Sequence, residues 1–234
     1  MPGWTSRAIN CTHLCIEKLI PRQYECTNMC RENTIRKYVQ KKRAEKLEET
    51  RARIAQAALD LHRSLGPART TLSAVAERAG VQRHTLYAHF PDERSLFLAC
   101  SGLHFEQDPP PDASRWTSVQ DRRERVSLAL GQIYSWYERN ADLIAAVLRD
   151  SEHHEILREV SHQRLGPYFA AWRSALRSDD NLLEAIAMLE LALSFHSWRT
   201  LAVDGKLGSG AVGLITALVC SNICYSQLPT AEVF

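Results

Sequence analysis

Gly80 separates two short helical patterns, and no other feature of the chain restricts its fold as tightly. Residues 71–79 carry apolar side chains at helical spacing and stop at Gly80; residues 82–90 come directly after and are closed by Pro91. Two short helices joined by a tight turn at a glycine predict a helix-turn-helix. Gly80 suits a turn position with positive φ, where a Cβ is penalised. Leu86 and Phe90 lie four apart, so both can seat the second helix on Val75, Ala76 and Ala79. Arg83, His84, Thr85, Tyr87 and His89 then fall at or beyond the edges of the buried stripe, where they can donate to phosphates and base edges. A helical hairpin with a merely polar outer face gives the same pattern, so the pattern alone leaves DNA binding open.

Residues 54, 57, 58, 61 and 65 (Ile, Ala, Ala, Leu, Leu) repeat at a helix period, and Gly66-Pro67 ends that helix. From Arg31 to Leu65 there is neither glycine nor proline, and residues 36–53 are rich in Lys, Arg, Glu and Ala. The first helix is therefore expected to extend backwards as a charged, solvated rod. After Pro91 a helix resumes through Leu96, Phe97 and Ala99 to about residue 105, and the proline-rich stretch 107–114 breaks it. Further helical patterns lie at 122–140, 143–148, 156–177, 182–203 and 212–226. Gly166-Pro167 is expected to kink or split the third of these. Strand alternation and internal repeats are absent from the pattern. The reading is all-α. It has an arm at 1–30 without helical period, a helix-turn-helix domain with a basic extension at 31–99, and a helical bundle at 100–234, joined through a connecting helix.

Residues 50–98 resemble the DNA-binding domain of the TetR family of bacterial transcriptional regulators. Arg51, Ile54, Ala57-Ala58, Leu61 and Gly66 match its first helix. Thr70-Thr71, Val75-Ala76 and Ala79-Gly80-Val81 match the second helix and turn, and Thr85-Leu86-Tyr87 with His89-Phe90 match the third. Leu96 stands where the fourth helix begins. The chain departs from the family at Ala88, where a basic residue is common, and at Glu93, where a lysine is frequent; Arg94 stands beside it. The resemblance implies a dimeric repressor that binds a near-palindromic duplex operator and leaves it when a small-molecule effector binds the C-terminal bundle. Within that frame Arg83 is the best candidate for guanine, because its fork matches O6 and N7. His84 and Thr85 are placed to read bases, with Gln82 at the start of the same helix. Thr70, Thr71, Tyr87, His89 and Arg94 are cast as phosphate contacts that fix register.

Composition narrows the alternatives. A chain of 234 residues with a net charge of only +2 is no polycation, so any nucleic-acid surface must come from local clustering. Arg36, Lys37, Lys41, Lys42, Arg43 and Lys46 form one such cluster. Either it meets phosphates or a minor groove, or it is a solvated helix paired with Glu45, Glu48 and Glu49. No membrane span and no signal peptide are evident, which predicts a cytoplasmic protein. Met29 is a plausible alternative start, which leaves open whether residues 1–28 belong to the protein.

Cys11, Cys15, Cys26 and Cys30 form two i, i+4 pairs, a spacing looser than the usual zinc knuckle. Glu152, His153, His154 and Glu155 cluster without a third ligand position that the sequence can supply. Neither pattern outweighs plain structural use, and no metal or cofactor is expected. Catalytic motifs are absent, so the chain reads as no enzyme. The competing reading is a helical small-molecule-binding protein or enzyme without specific DNA binding. Tyr134, Tyr137, Tyr168, Trp172, Phe195 and His196 are the aromatic candidates for an effector pocket, against the simpler alternative that they are core. The last two apolar helices are expected to pair with those of a second subunit; the alternative is a monomer in which other helices cover them.

Overall fold

The computed structural model describes residues 23–177 and 183–221, with side chains from residue 36 onward. All its regular elements are helical. They are α1 (Gln23–Leu65), α2 (Leu72–Arg78), α3 (Arg83–His89), α4 (Glu93–Gln107), α5 (Arg122–Arg139), α6 (Ala141–Ser151), α7 (Glu155–Leu176), α8 (Leu183–Leu193), α9 (Phe195–Trp198) and α10 (Gly210–Cys220). Short 3-10 turns occupy Pro67–Arg69 and Ala113–Arg115, and a π-helical turn spans Arg199–Asp204. Among the described residues no helix is long and apolar enough to cross a membrane.

The chain divides into two units, residues 1–50 and 51–234. The expected boundary at 99/100 therefore falls inside α4, in the interior of the second unit. In the first unit α1 begins at Gln23, eight residues ahead of the expected Arg31, and its side chains from 36 to 49 are exposed. Local contacts support it there. Lys41 pairs with Glu45 at 3.9 Å, Lys42 lies over the Tyr38 ring, and Thr50 Oγ1 donates to the Lys46 carbonyl.

In the second unit two apolar cores form. One gathers Ile54, Ala58, Val75, Leu86, Phe90, Leu96 and Phe97 around the helix-turn-helix, and it is closed by Leu157 and Val160 of α7. The other is aromatic-rich, with Trp116, Trp136, Tyr137, Trp172, Phe195 and Trp198. The proline-rich loop is fastened to it. Trp136 Nε1 donates to the Asp108 carbonyl at 3.1 Å and Trp172 Nε1 to that of Pro111 at 2.8 Å.

The C-terminal helices depart in part from expectation. Of the kink or split expected at Gly166-Pro167, the split does not occur, and residues 155–176 form one helix. Proline removes one rung from the ladder, and Leu157 and Val160 on one side with Trp172 and Leu176 on the other bury enough surface to hold it. The long helix expected over 182–203 instead breaks at Ser194, which is extended (φ −72°, ψ 133°) and caps α9 by accepting from His196 N. The carbonyls freed at the break are not orphaned. Tyr134 Oη donates to Ala192 O at 3.0 Å, and Tyr137 Oη donates to Leu193 O. The last described helix ends at Cys220, and the rest of the helix expected to 226 falls in residues 222–234, which lie outside the described residues.

Candidate functional site

The helix-turn-helix forms as its sequence requires. Thr71 caps α2 by accepting from Ala74 N at 3.2 Å, which satisfies one orphan donor of the first turn. Gly80 takes φ +64° in the turn, with nothing within 4 Å of where a Cβ would stand, so backbone conformation rather than crowding selects glycine there. Leu86 and Phe90 are buried with Val75, Ala76 and Ala79, which fixes the roll of α3. Arg51 reaches 38 positions along the chain to donate to the His89 carbonyl at 2.7 Å, and its guanidinium stacks 4.3 Å from the Phe90 ring centroid.

That roll leaves Gln82, Arg83, His84 and Tyr87 exposed, with Thr85 and His89 half-buried. Arg83 Nη2 lies 3.4 Å from Tyr87 Oη, one turn away on the same face. Tyr87 keeps 42% of its surface exposed. Thr70 Oγ1 is occupied by the Gly66 carbonyl at 2.8 Å. Thr71 Oγ1 is engaged in the cap, and the residue is exposed at the start of α2. Arg94, cast as a phosphate contact, is directed elsewhere. Its guanidinium pairs with Glu159 and donates to Gln163 Oε1 at 3.3 Å, joining α4 to α7. Ion pairing with a carboxylate already in reach competes with any phosphate for that side chain.

The aromatic residues expected around a pocket do not all converge on one, although Tyr168 and Trp172 both line the open groove along Pro109–Pro111. Tyr134 and Tyr137 are core groups whose hydroxyls serve the break after α8, and burial raises the pKa of both. Trp172 is wholly buried and fastens the proline loop. Phe195 packs edge-on to Tyr137, His196 is exposed, and Tyr168 lies edge-on to Phe105 beside the open groove along Pro109–Pro111.

A cavity of about 130 Å³ lies instead among the end of α1, α4, α6 and α7. Leu59, Phe97, Leu143, Val147, Leu157 and Leu165 give it an apolar wall, and His62, Cys100, His104 and Arg164 supply the polar atoms. His62 Nδ1 stands 3.6 Å from Cys100 Sγ. Burial lowers the His62 pKa to about 4, against a smaller opposing effect of Asp150, and pushes the Cys100 thiol up to about 12. His104 is lowered by burial and then by Arg63, whose Nη2 lies 3.1 Å from its Nδ1. Both imidazoles are thus neutral at pH 7. Sequence reasoning missed this cavity because its residues come from five helices and a turn and share no motif.

Of the acidic and histidine cluster after α6, His154 caps α7 by accepting from Leu157 N at 3.3 Å and faces Glu93 at 3.3 Å, while His153 is exposed. Among the described residues no three His, Cys, Asp or Glu side chains are grouped to hold a metal. Cys11 and Cys15 lie outside the described residues, and Cys26 and Cys30 fall on α1 where only the backbone is described.

Residues 54–100 match the model of the bacterial regulatory proteins of the tetR family. Over 65 residues the chain is 43% identical to the HTH-type transcriptional regulator TtgR of Pseudomonas putida, and equally to the probable regulator ArpR of the same species. That match covers 27% of this chain and only 31% of either relative. The likeness of fold extends beyond the matched segment. A TetR-family regulator from Syntrophomonas wolfei superposes with a TM-score of 0.57 at 14% identity, covering 76% of this chain and 98% of that one. A transcriptional regulator from a Rhodococcus species gives 0.52 at 16% identity, covering 72% and 95%. The regulator FadR of Bacillus subtilis, solved with stearoyl-CoA, gives 0.50 at 14%, covering 70% and 97%.

Proposed function

We propose that this protein is a sequence-specific, ligand-responsive transcriptional repressor of the TetR type, acting in the cytoplasm as a homodimer on a near-palindromic operator. One observation carries the reading. Leu86 and Phe90 lock α3 so that Gln82, Arg83, His84 and Tyr87 all face solvent, on a helix whose family places it in the major groove. Arg83 reads guanine, His84 and Thr85 read neighbouring bases, and Thr71, Tyr87 and His89 hold phosphates. The second subunit is supported by α8 and α10, which pack together and still leave Ile186, Leu191, Leu214 and Leu218 exposed. Apolar faces of that kind mark an interface more often than a solvated surface. The cavity under α4 is the effector site, because a ligand there touches the helix that carries α3.

Selection of sites from a randomised duplex library by the purified chain tests this. A two-fold symmetric motif whose binding weakens steeply with salt is expected. No enrichment in dilute buffer, or salt-insensitive binding, would sink the reading.

A further inference from the structure

We propose that the cavity among α1, α4, α6 and α7 takes a small amphipathic carboxylate, and that Arg164 is the group that reads its charge. The proposal rests on the effector reading above and names the chemical class of that effector. The wall is apolar except for a few polar atoms, and Arg164 carries the one formal charge among its lining side chains, since both imidazoles and the thiol are neutral there. Among the described residues no carboxylate lies within 4.0 Å of its guanidinium, unlike Arg94, Arg139 or Arg173, each of which has one.

Arg164 makes one bond, from Nη2 to the Leu98 carbonyl at 2.5 Å, while its Nε is buried with no acceptor among the described residues. A guanidinium has five donors, and a lone neutral carbonyl neither saturates them nor balances the charge. A carboxylate does both, through the planar fork that arginine presents. Ser161 stands one turn earlier on α7 and lines the same cavity, offering a further hydroxyl donor.

The helix opposite is cut to admit this side chain. Gly102 sits inside α4, where glycine weakens a helix relative to alanine. A Cβ there would stand 3.1 Å from Arg164 Nη2, so the missing methyl is the space that the guanidinium uses. Size limits the ligand as well. An apolar cavity of about 150 Å³ holds a benzene-sized molecule, so 130 Å³ admits at most the apolar part of a compact ring or branched chain and excludes a long acyl chain.

Regulation follows from the same geometry. A carboxylate that draws the guanidinium from the Leu98 carbonyl removes a bond between α4 and α7, and α4 is the helix next in the chain after the reading helix. Only a ligand with that differential contact can shift the equilibrium between DNA-competent and released states.

Calorimetric titration of the full chain with benzoate and 4-methylpentanoate, each against its own amide, decides the matter. At least one acid is expected to bind ten or more times tighter than its amide. Arg164→Gln should reduce that ratio to about one, and Arg164→Lys should retain a preference for the acid. Equal affinity of acid and amide in the native chain, or an undiminished ratio in Arg164→Gln, overturns the carboxylate. The native ratio decides even if a variant fails to fold. Equal acid and amide binding that disappears in the cavity-filling Val147→Trp would leave the effector site standing while removing its proposed chemistry. No binding by either pair overturns the carboxylate too, and DNA selection then judges the regulator reading separately.

Discussion

His62 makes the fold sensitive to mild acid, and the size of the effect follows from its surroundings. The side chain is 5% exposed, 3.6 Å from Cys100 Sγ and against the Phe97 ring, where burial holds its pKa at about 4 instead of 6.5. An unfolded chain takes up a proton on this imidazole near pH 6.5, whereas the folded chain does so only near pH 4. Between those values the unfolded state binds more protons, so stability falls as the pH drops. Integrating that difference gives a loss of about 2 kcal/mol by pH 5, approaching about 3 kcal/mol below pH 4. Asp92, Asp108, Asp112 and Asp150 also have lowered values, but their contribution is present above the ordinary carboxylate pKa and is lost only below about 4. The interval from pH 7.5 to 5 therefore isolates histidine. His104 shares that interval with the same sign. Urea denaturation of the native chain and of His62→Phe at both pH values separates the two. The variant should lose about 2 kcal/mol less on acidification, whatever its absolute stability. Parallel losses in the two proteins, or an imidazole signal for His62 titrating near 6.5, would refute the argument.

Arg83→Ala should weaken operator binding by about 1–3 kcal/mol and relax preference at one base position per half-site, read by gel shifts against single-base variants. Tyr137→Phe leaves the buried Leu193 carbonyl without its donor and should cost about 1–3 kcal/mol in urea melts, with operator contacts unaffected. Leu214→Glu with Leu218→Glu puts two charges on the exposed apolar face of α10; sedimentation should show monomers, and operator affinity should fall with the loss of the paired half-site.

The reading domain was legible because its determinants are local. A glycine whose φ is +64°, a capping threonine and two apolar residues four apart specify α2, the turn and α3 within twenty positions. The bundle was legible only as helices. The break at Ser194 carries no local signature, since serine is tolerated inside helices; it is stabilised by hydroxyls of Tyr134 and Tyr137, some 56 to 58 positions earlier. The aromatic candidates are scattered in the bundle in a way that composition does not reveal. A buried tyrosine with a polar tip looks alike in composition whether that tip meets a ligand or a broken helix. Arg94 stands beside the position where the resemblance has a lysine, and only the packing of α4 on α7 brings Glu159 and Gln163 to it.

The core around the helix-turn-helix is not complete within residues 51–99. Leu157 and Val160 of α7 close it, Asp150 of α6 accepts from Ala68 N at 2.8 Å in the turn after α1, and Arg164 bonds the Leu98 carbonyl. Each of these groups is either on the cavity wall or within one turn of a residue that is. A packed interior has few discrete arrangements rather than a continuous range. Filling the cavity therefore cannot leave α4 where it was unless the ligand matches the existing space, and α4 connects through Pro91-Asp92 to the end of α3. If the proposed effector and operator are right, communication between them needs no hinge at the expected boundary near residue 99. It needs only that one core be shared by the helices that bind the ligand and the helices that seat the reader.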